Sequence, residues 1–424
     1  MKELEMKDSG LPWINSIPMD FRVEKLKYQL KRRTEKKRGD CEVLSLYRDF
    51  GIVPKSSRED NHNVTSSDTS NYLYVREGDF VINKMKAWQG SVAVSGYKGI
   101  VSPAYYVYEF ISPDLEKKYF HYLLRACYKD EFRRLSGGIR EGQWDLSATA
   151  FENCKCLIPF IQQQTSIANF LDTKCAEIDS LTADIEKQIE TLQEYKKSVI
   201  TEAVTKGLDP NVEMKMSGCN WIGQIPKTWT ESKVKLHLRR RTVRNPSPGS
   251  SVVLSLYREY GVIPKNSRDD NHNVTSADTS NYLFVRRGDF VINKMKAWQG
   301  SVALSSYEGI VSPAYFVYEF ITDQLDKQYL HYLLRSCYKD EFRRLSAGIR
   351  EGQWDLPAES FSNLSLILPP LKEQIEISQY LEITLPQIDK LIKDKSYQVE
   401  TLAQYKQSLI YEYVTGKKTV PDNF

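Results

Sequence analysis

The chain has 424 residues with 59 Lys+Arg against 55 Asp+Glu, a formal net charge of +4; that length exceeds one core and suits two globular domains plus connecting elements, while so small an excess excludes anion binding by bulk basicity and leaves only local clusters. Seven cysteines, with no CxxC pair and no His at metal-ligand spacing, read as reduced structural thiols. The opening MKELEMKDSG has no apolar leader core and no window is apolar enough to span a bilayer, so no membrane role is expected and the compartment is read as cytoplasmic.

In chain order, an opening signature of Ser9-Gly10, Trp13-Ile14 and Ile17-Pro18 returns at Ser217-Gly218, Trp221-Ile222 and Ile225-Pro226. Phe21 stands where the second copy keeps Trp229. A basic run follows in each copy, Lys31, Arg32, Arg33, Lys36 and Lys37 in one and Arg239, Arg240, Arg241 and Arg244 in the other; a solvated helix face explains such runs more readily than a nucleic-acid site. Residues 44 to 146 then recur at 254 to 356 without a gap, 82 of 103 identical. The chain is a tandem duplication. A repeated fold needs only its apolar pattern preserved, yet polar and aromatic residues agree as closely, which points to two domains that bind the same thing or to a recent recombination.

Within the repeat, aromatic and β-branched segments broken by Gly, Pro, Asn and Asp, such as Tyr72 to Val75, Phe80 to Asn83 and Ser91 to Ser95, predict short strands joined by turns. Tyr119, Tyr122, Leu123, Cys127, Phe132 and Leu135 take helical spacing. From Thr165 the period is purely helical: Ile178, Leu181, Ile185, Leu192, Tyr195 and Val199 predict a coiled-coil seam, matched by Ile388, Leu391, Val399, Leu402, Tyr405 and Leu409. Lys395 replaces Ile185 as a defect in that seam, and Pro386, in place of Ala176, predicts a break and restart. A helix over about 174 to 205 would be a strut roughly 45 Å long. Each strut has one apolar stripe, so the two are expected to pack together.

Catalytic patterns are missing: there is no GxGxxG, GxxxxGK[ST], HExxH or GxSxG. Pro113-Asp114 with Glu116-Lys117-Lys118 superficially resembles a nuclease motif, but its acids are too close in sequence and the second copy abandons Pro113 and Glu116. His62, His121, His272 and His331 lack a recognisable nucleophile or carboxylate partner and read as structural.

Two segments carry binding chemistry. In Val81 to Ser91, alternation puts Lys84, Lys86 and Trp88 on one strand face, followed by Gln89 and Ser91 at a Gly90 turn; lysines suit phosphates and Gln a base edge. The second copy holds Lys294, Lys296, Trp298, Gln299 and Ser301. In Gly138 to Leu146, glycines flank a loop carrying Arg140 and Gln143, repeated as Arg350 and Gln353, side chains suited to bidentate base readout. A core Trp88 with snorkelling lysines and an internal Arg140 to Glu141 pair are the structural alternatives. Tyr47-Arg48, Tyr257-Arg258 and Arg58 are weaker candidates.

Two repeats of Trp-Ile…Ile-Pro, GDFVINKMKA, GIVSPAY, the Arg-Glu-Gly loop, and Ile-Pro or Leu-Pro-Pro followed by an ID.L helix resemble the specificity subunit of type I restriction–modification enzymes over essentially the whole chain. The resemblance implies an α+β fold: target recognition domains at 1–159 and 209–369, and helical spacers at 160–208 and 370–424 packed as an antiparallel coiled coil with pseudo-two-fold symmetry. It implies a non-catalytic subunit that binds double-stranded DNA at a bipartite target. Its partners would be two methyltransferase (modification) subunits and restriction/translocase subunits. No cofactor is expected on this chain, with S-adenosylmethionine, ATP and Mg on the partners. A stand-alone DNA-binding regulator or architectural protein is the main alternative, and a coiled-coil scaffold a second.

Overall fold

The computed structural model describes the chain apart from residues 1–4, 37–40, 48–50, 59–64, 67, 139–143, 248–249, 259, 269–274, 277, 347, 349–353 and 422–423. It divides into two compact units, Met1–Glu186 with Tyr397–Phe424, and Lys187–Ser396. Each unit combines an antiparallel sheet, a layer of short helices and one segment from each of two long helices, Ile161–Lys206 and Leu371–Val414.

In the first unit the sheet order is Leu30–Arg33, Tyr105–Phe110, Phe80–Asn83, Val92–Val94, every neighbour antiparallel. Alternation along Phe80–Asn83 sends Phe80 and Ile82 into the main core with helices Lys117–Cys127, Lys129–Leu135 and Ala148–Asn153. Val81 enters a smaller core beneath the hairpin Leu44–Tyr47/Gly51–Pro54. With both faces covered, the run needs no polar residue before Asn83. The second unit repeats the order with Leu238–Arg241, Tyr315–Phe320, Phe290–Asn293 and Val302–Leu304.

The basic run is not a helix face. Lys31, Arg32 and Arg33, like Arg239, Arg240 and Arg241, lie on the edge strand, whose alternation leaves Arg32 and Arg240 exposed and turns Arg33 and Arg241 toward Asp79 (3.3 Å) and Asp289 (2.8 Å), while Lys37 lies outside the described residues. Loss of hydration raises both carboxyls above the usual carboxylate range, against the pull of the backbone N–H groups of Arg76 and Arg286 and of the paired guanidinium groups. The nuclease-like acid also has a structural role: Glu116 caps the helix Lys117–Cys127 by accepting from the Tyr119 N–H, and Asp326 does the same for Tyr329. Either acid serves as an N-cap, which is why the copies differ there.

The long helices pair antiparallel within each unit. In the first, Phe170 meets Tyr413 at 4.5 Å and Lys406 meets Asp179 at 2.6 Å; in the second, Lys196 pairs with Asp389 and Lys395 donates to Gln188. The expected seam is only half right. Leu181, Tyr195, Leu391 and Tyr405 are 49%, 53%, 50% and 55% exposed. The less exposed positions on the first helix are Cys175, Ile178, Thr182, Ile185, Ile189, Leu192, Lys196, Val199 and Ala203. Their alternating steps of three and four preserve the heptad but take the other neighbouring stripe, which admits Lys196 because Asp389 meets its ammonium.

The first helix also begins well before residue 174, because Ile167, Phe170 and Leu171 on its opening turns are buried in the main core. The second runs unbroken through Pro386, contrary to the expected restart. Leu381, Leu385 and Ile388 on both sides of the proline enter one core, while Pro386 itself faces solvent. Water can then satisfy the carbonyl deprived of its N–H partner, and apolar burial offsets a cost of about 3 kcal/mol.

All seven cysteines are free thiols, five of them buried. Among the described residues no helix is long and apolar enough to cross a membrane, and no group of three or more His, Cys, Asp and Glu is arranged to hold a metal.

Candidate nucleic-acid interface

The strand Phe80–Asn83 ends before the lysines, so Lys84, Lys86 and Trp88 do not share a strand face. The Asn83 side chain accepts from the Met85 N–H (3.1 Å), an Asx turn that stops the strand. A single 3-10 turn, Ala87–Gln89, follows and closes at Gly90 with φ +83°. That left-handed conformation favours glycine there, and a Cβ would also lie 2.8 Å from Lys129 Cε, a flexible side-chain end that can move aside. The turn exposes Met85 and Lys86, half-buries Lys84, Trp88 and Gln89, and buries Ala87 and Ser91. The second unit matches it, with Ser301 3% exposed; both serines are inside the turn instead of on its surface.

The two segments nominated from the sequence meet. The Leu146 N–H donates to the Lys84 carbonyl (3.0 Å), and Lys84 Nζ lies 3.8 Å from Asp145. Trp88 packs edge-on against Trp144 at 5.2 Å, its indole N–H donating to the Met85 carbonyl (3.1 Å), and the Arg133 guanidinium lies 5.1 Å from the Trp144 ring centre. The second unit has Trp298 against Trp354 at 5.1 Å, Arg343 at 5.0 Å and Lys294 at 3.3 Å from Asp355. The anchor therefore stands immediately after the Arg-Glu-Gly segment. Arg140, Gln143, Arg350 and Gln353 themselves lie outside the described residues.

A neighbouring aromatic extends the cluster to the edge strand. Arg32 and Lys84 lie 4.5 and 5.8 Å from the Tyr106 ring centre, and Arg240 and Lys294 lie 4.4 and 5.8 Å from that of Phe316. Trp144, Arg133, Tyr106 and their counterparts were not nominated from sequence. The near-identity of the copies could have flagged them, but only pairing between distant strands shows that they share one site.

The weaker candidates sit apart, at the end of the small hairpin. Tyr47 is half-buried with Arg58 5.3 Å from its ring, Tyr257 has Arg268 at 5.7 Å, and Arg258 is exposed. Arg48 lies outside the described residues. Arg258 nevertheless joins a cationic group: burial lowers the Lys339 ammonium below its ordinary range, and the charges of Arg335, Lys197 and Arg258 lower it further. Cations gathered at such a cost suit an anionic ligand. His121 and His331 are held neutral, burial first and Arg125 or Arg335 second pushing each down to about 4.

A family model described as Type I restriction modification DNA specificity domain matches residues 27–191 and 247–401. The chain is 28% identical over 373 residues to the type I restriction enzyme MjaVIII specificity subunit of Methanocaldococcus jannaschii, covering 82% of this chain and 81% of that one. It is 23% identical to the StySPI specificity subunit of Salmonella potsdam, over 73% and 66% of the two chains. Among solved structures, one of a type I R-M system, determined for its complex assembly and conformational transition, is similar with a TM-score of 0.69 at 13% identity, over 95% of this chain and 99% of that one. The crystal structure of the HsdS subunit from Thermoanaerobacter tengcongensis is similar with a TM-score of 0.54 at 14% identity, over 95% and 98%. At those identities the structures speak for the fold.

Proposed function

We propose, on the premise that this chain belongs to the type I restriction modification DNA specificity family, that each unit reads one half of a bipartite DNA target and that the long helices set the spacing between halves and dock methyltransferase subunits. The observation that carries this reading is the cation–aromatic cluster built twice: Lys84, Trp88, Arg133 and Trp144, and Lys294, Trp298, Arg343 and Trp354, with ring distances agreeing within 0.1 Å (5.2 against 5.1, and 5.1 against 5.0). Lysines and arginines at such a surface neutralise phosphates and position a duplex, while the adjoining segment of sequence that bears Arg140 and Gln143, or Arg350 and Gln353, supplies groups for base edges.

The chain itself performs no methyl transfer, cleavage or ATP hydrolysis in this reading. S-adenosylmethionine, ATP and Mg belong to modification and restriction/translocase subunits, and the complex works in the cytoplasm. Because the two clusters are built alike, the target is a near inverted repeat: two half-sites of the same sequence on opposite strands, separated by unread base pairs. Sequencing the methylated motif in a host carrying the intact system tests this. An inverted repeat is expected, and two unrelated half-sites would refute shared readout. Co-purification with methyltransferase subunits separates this reading from a stand-alone regulator, which would need none.

A further inference from the structure

Among the described side chains that form the cluster, one position differs between units. Arg32, Lys84, Lys86, Trp88, Arg133 and Trp144 have identical counterparts at Arg240, Lys294, Lys296, Trp298, Arg343 and Trp354, whereas Tyr106 is Phe316. The two rings sit alike. Each is held by an Arg from the edge strand and by the turn lysine, at 4.5 and 5.8 Å in one unit and 4.4 and 5.8 Å in the other. Each also meets the next-but-one tyrosine of its strand edge-on, Tyr108 at 6.5 Å and Tyr318 at 6.4 Å.

Phe316 is buried at 7% exposure, while Tyr106 is half-buried. The added oxygen stands at the tip of a ring that two cations flank. Among the described residues it has no hydrogen-bond partner. One pair of charge differences between the copies exchanges signs: Glu77 and Lys98 line one cleft with Tyr74 and Arg76, and their counterparts are Arg287 and Glu308. A swapped pair preserves local charge; a lone hydroxyl adds a donor and acceptor.

We infer that the Tyr106 phenol hydroxyl makes a hydrogen bond to the motif duplex in the first unit that Phe316 cannot make in the second. This rests on the DNA-reading function proposed above. The aromatic ring serves both units by holding its Arg and Lys at the surface, and only the oxygen is particular to one. A neutral hydrogen bond contributes about 0.5–1.5 kcal/mol net, a change of roughly two- to tenfold in affinity.

The test uses the complete complex with its modification subunits and a fluorescent duplex carrying the methylated motif found by sequencing, beside a scrambled duplex. Tyr106→Phe should weaken binding to the motif two- to tenfold, and Phe316→Tyr should change it by a similar factor, both leaving the scrambled duplex unaffected. Phe316→Tyr keeps the testing independent of folding, since it removes no contact and adds an oxygen where Tyr106 already carries one. If the wild-type complex retains the motif and both variants bind like wild type, the hydroxyl only faces solvent and the inference falls alone. If the wild-type complex prefers neither duplex, the function beneath it falls too.

Discussion

Replacing Trp144 and Trp354 by Ala removes the anchor that follows each Arg-Glu-Gly segment while leaving the buried core intact. Each Trp makes one edge-on contact with Trp88 or Trp298 and accepts one guanidinium over its ring. An aromatic pair contributes about 0.5–1.5 kcal/mol and an exposed cation–π contact about 0.5–1 kcal/mol, so about 1–2.5 kcal/mol of local order is lost per unit. If the segment must be held for readout, that loss appears in binding as a roughly five- to sixtyfold weaker Kd per half-site. Leu146 and Leu356 remain buried at 0% exposure, and their N–H groups still donate to Lys84 and Lys294. Global melting should therefore move little. Titration of the motif duplex, with melting followed in parallel, provides the assay. Melting that falls by as much as 2–4 °C per kcal/mol with unchanged relative preference among duplexes would show that the tryptophans are core and not tether, and would refute the reasoning.

Lys84→Ala should weaken binding to motif and scrambled duplexes alike and reduce the salt slope by about one unit, read from titrations at several salt concentrations. Because His121 and His331 titrate near 4 when folded and about 6.5 when unfolded, the unfolded chain binds more protons between those values; stability is then complete above about pH 6.5 and lost on acidification, by up to about 2 kcal/mol per histidine at pH 5. Denaturant melts of the wild type and of His121→Gln check this, the variant showing a flatter pH profile. Inserting one whole heptad into both long helices, after Glu186 and after Ser396, keeps the three-four alternation in phase and adds about 10 Å; the modified motif should gain about three unread base pairs with unchanged half-sites. Lys406→Ala, which breaks an ion pair with the 62% exposed side chain of Asp179, should cost no more than about 1 kcal/mol in a thermal melt.

Local sequence determined much of this protein. The duplication is written directly in residues 44–146 and 254–356, and the switch from short extended segments to a heptad period marks where the long helices lie, since strand and helix periods are properties of neighbouring residues. Gly90 likewise announces a turn. Tertiary structure decided the rest. Periodicity identifies Ile178, Ile185 and Val199 as one stripe but cannot choose which adjacent stripe completes the seam; Asp389, 193 residues from Lys196, helps make that choice. Nor can a basic run reveal that Arg33 turns to Asp79 while Arg32 covers Tyr106, because that depends on which strand lies alongside. In the second unit the Tyr329 hydroxyl donates to the Val204 carbonyl, 125 residues away, and in the first the Tyr119 hydroxyl donates to Val414, 295 residues away. Equivalent bonds are thus reached by unlike chain paths, because packing selects the geometry of the partner whatever its separation along the chain.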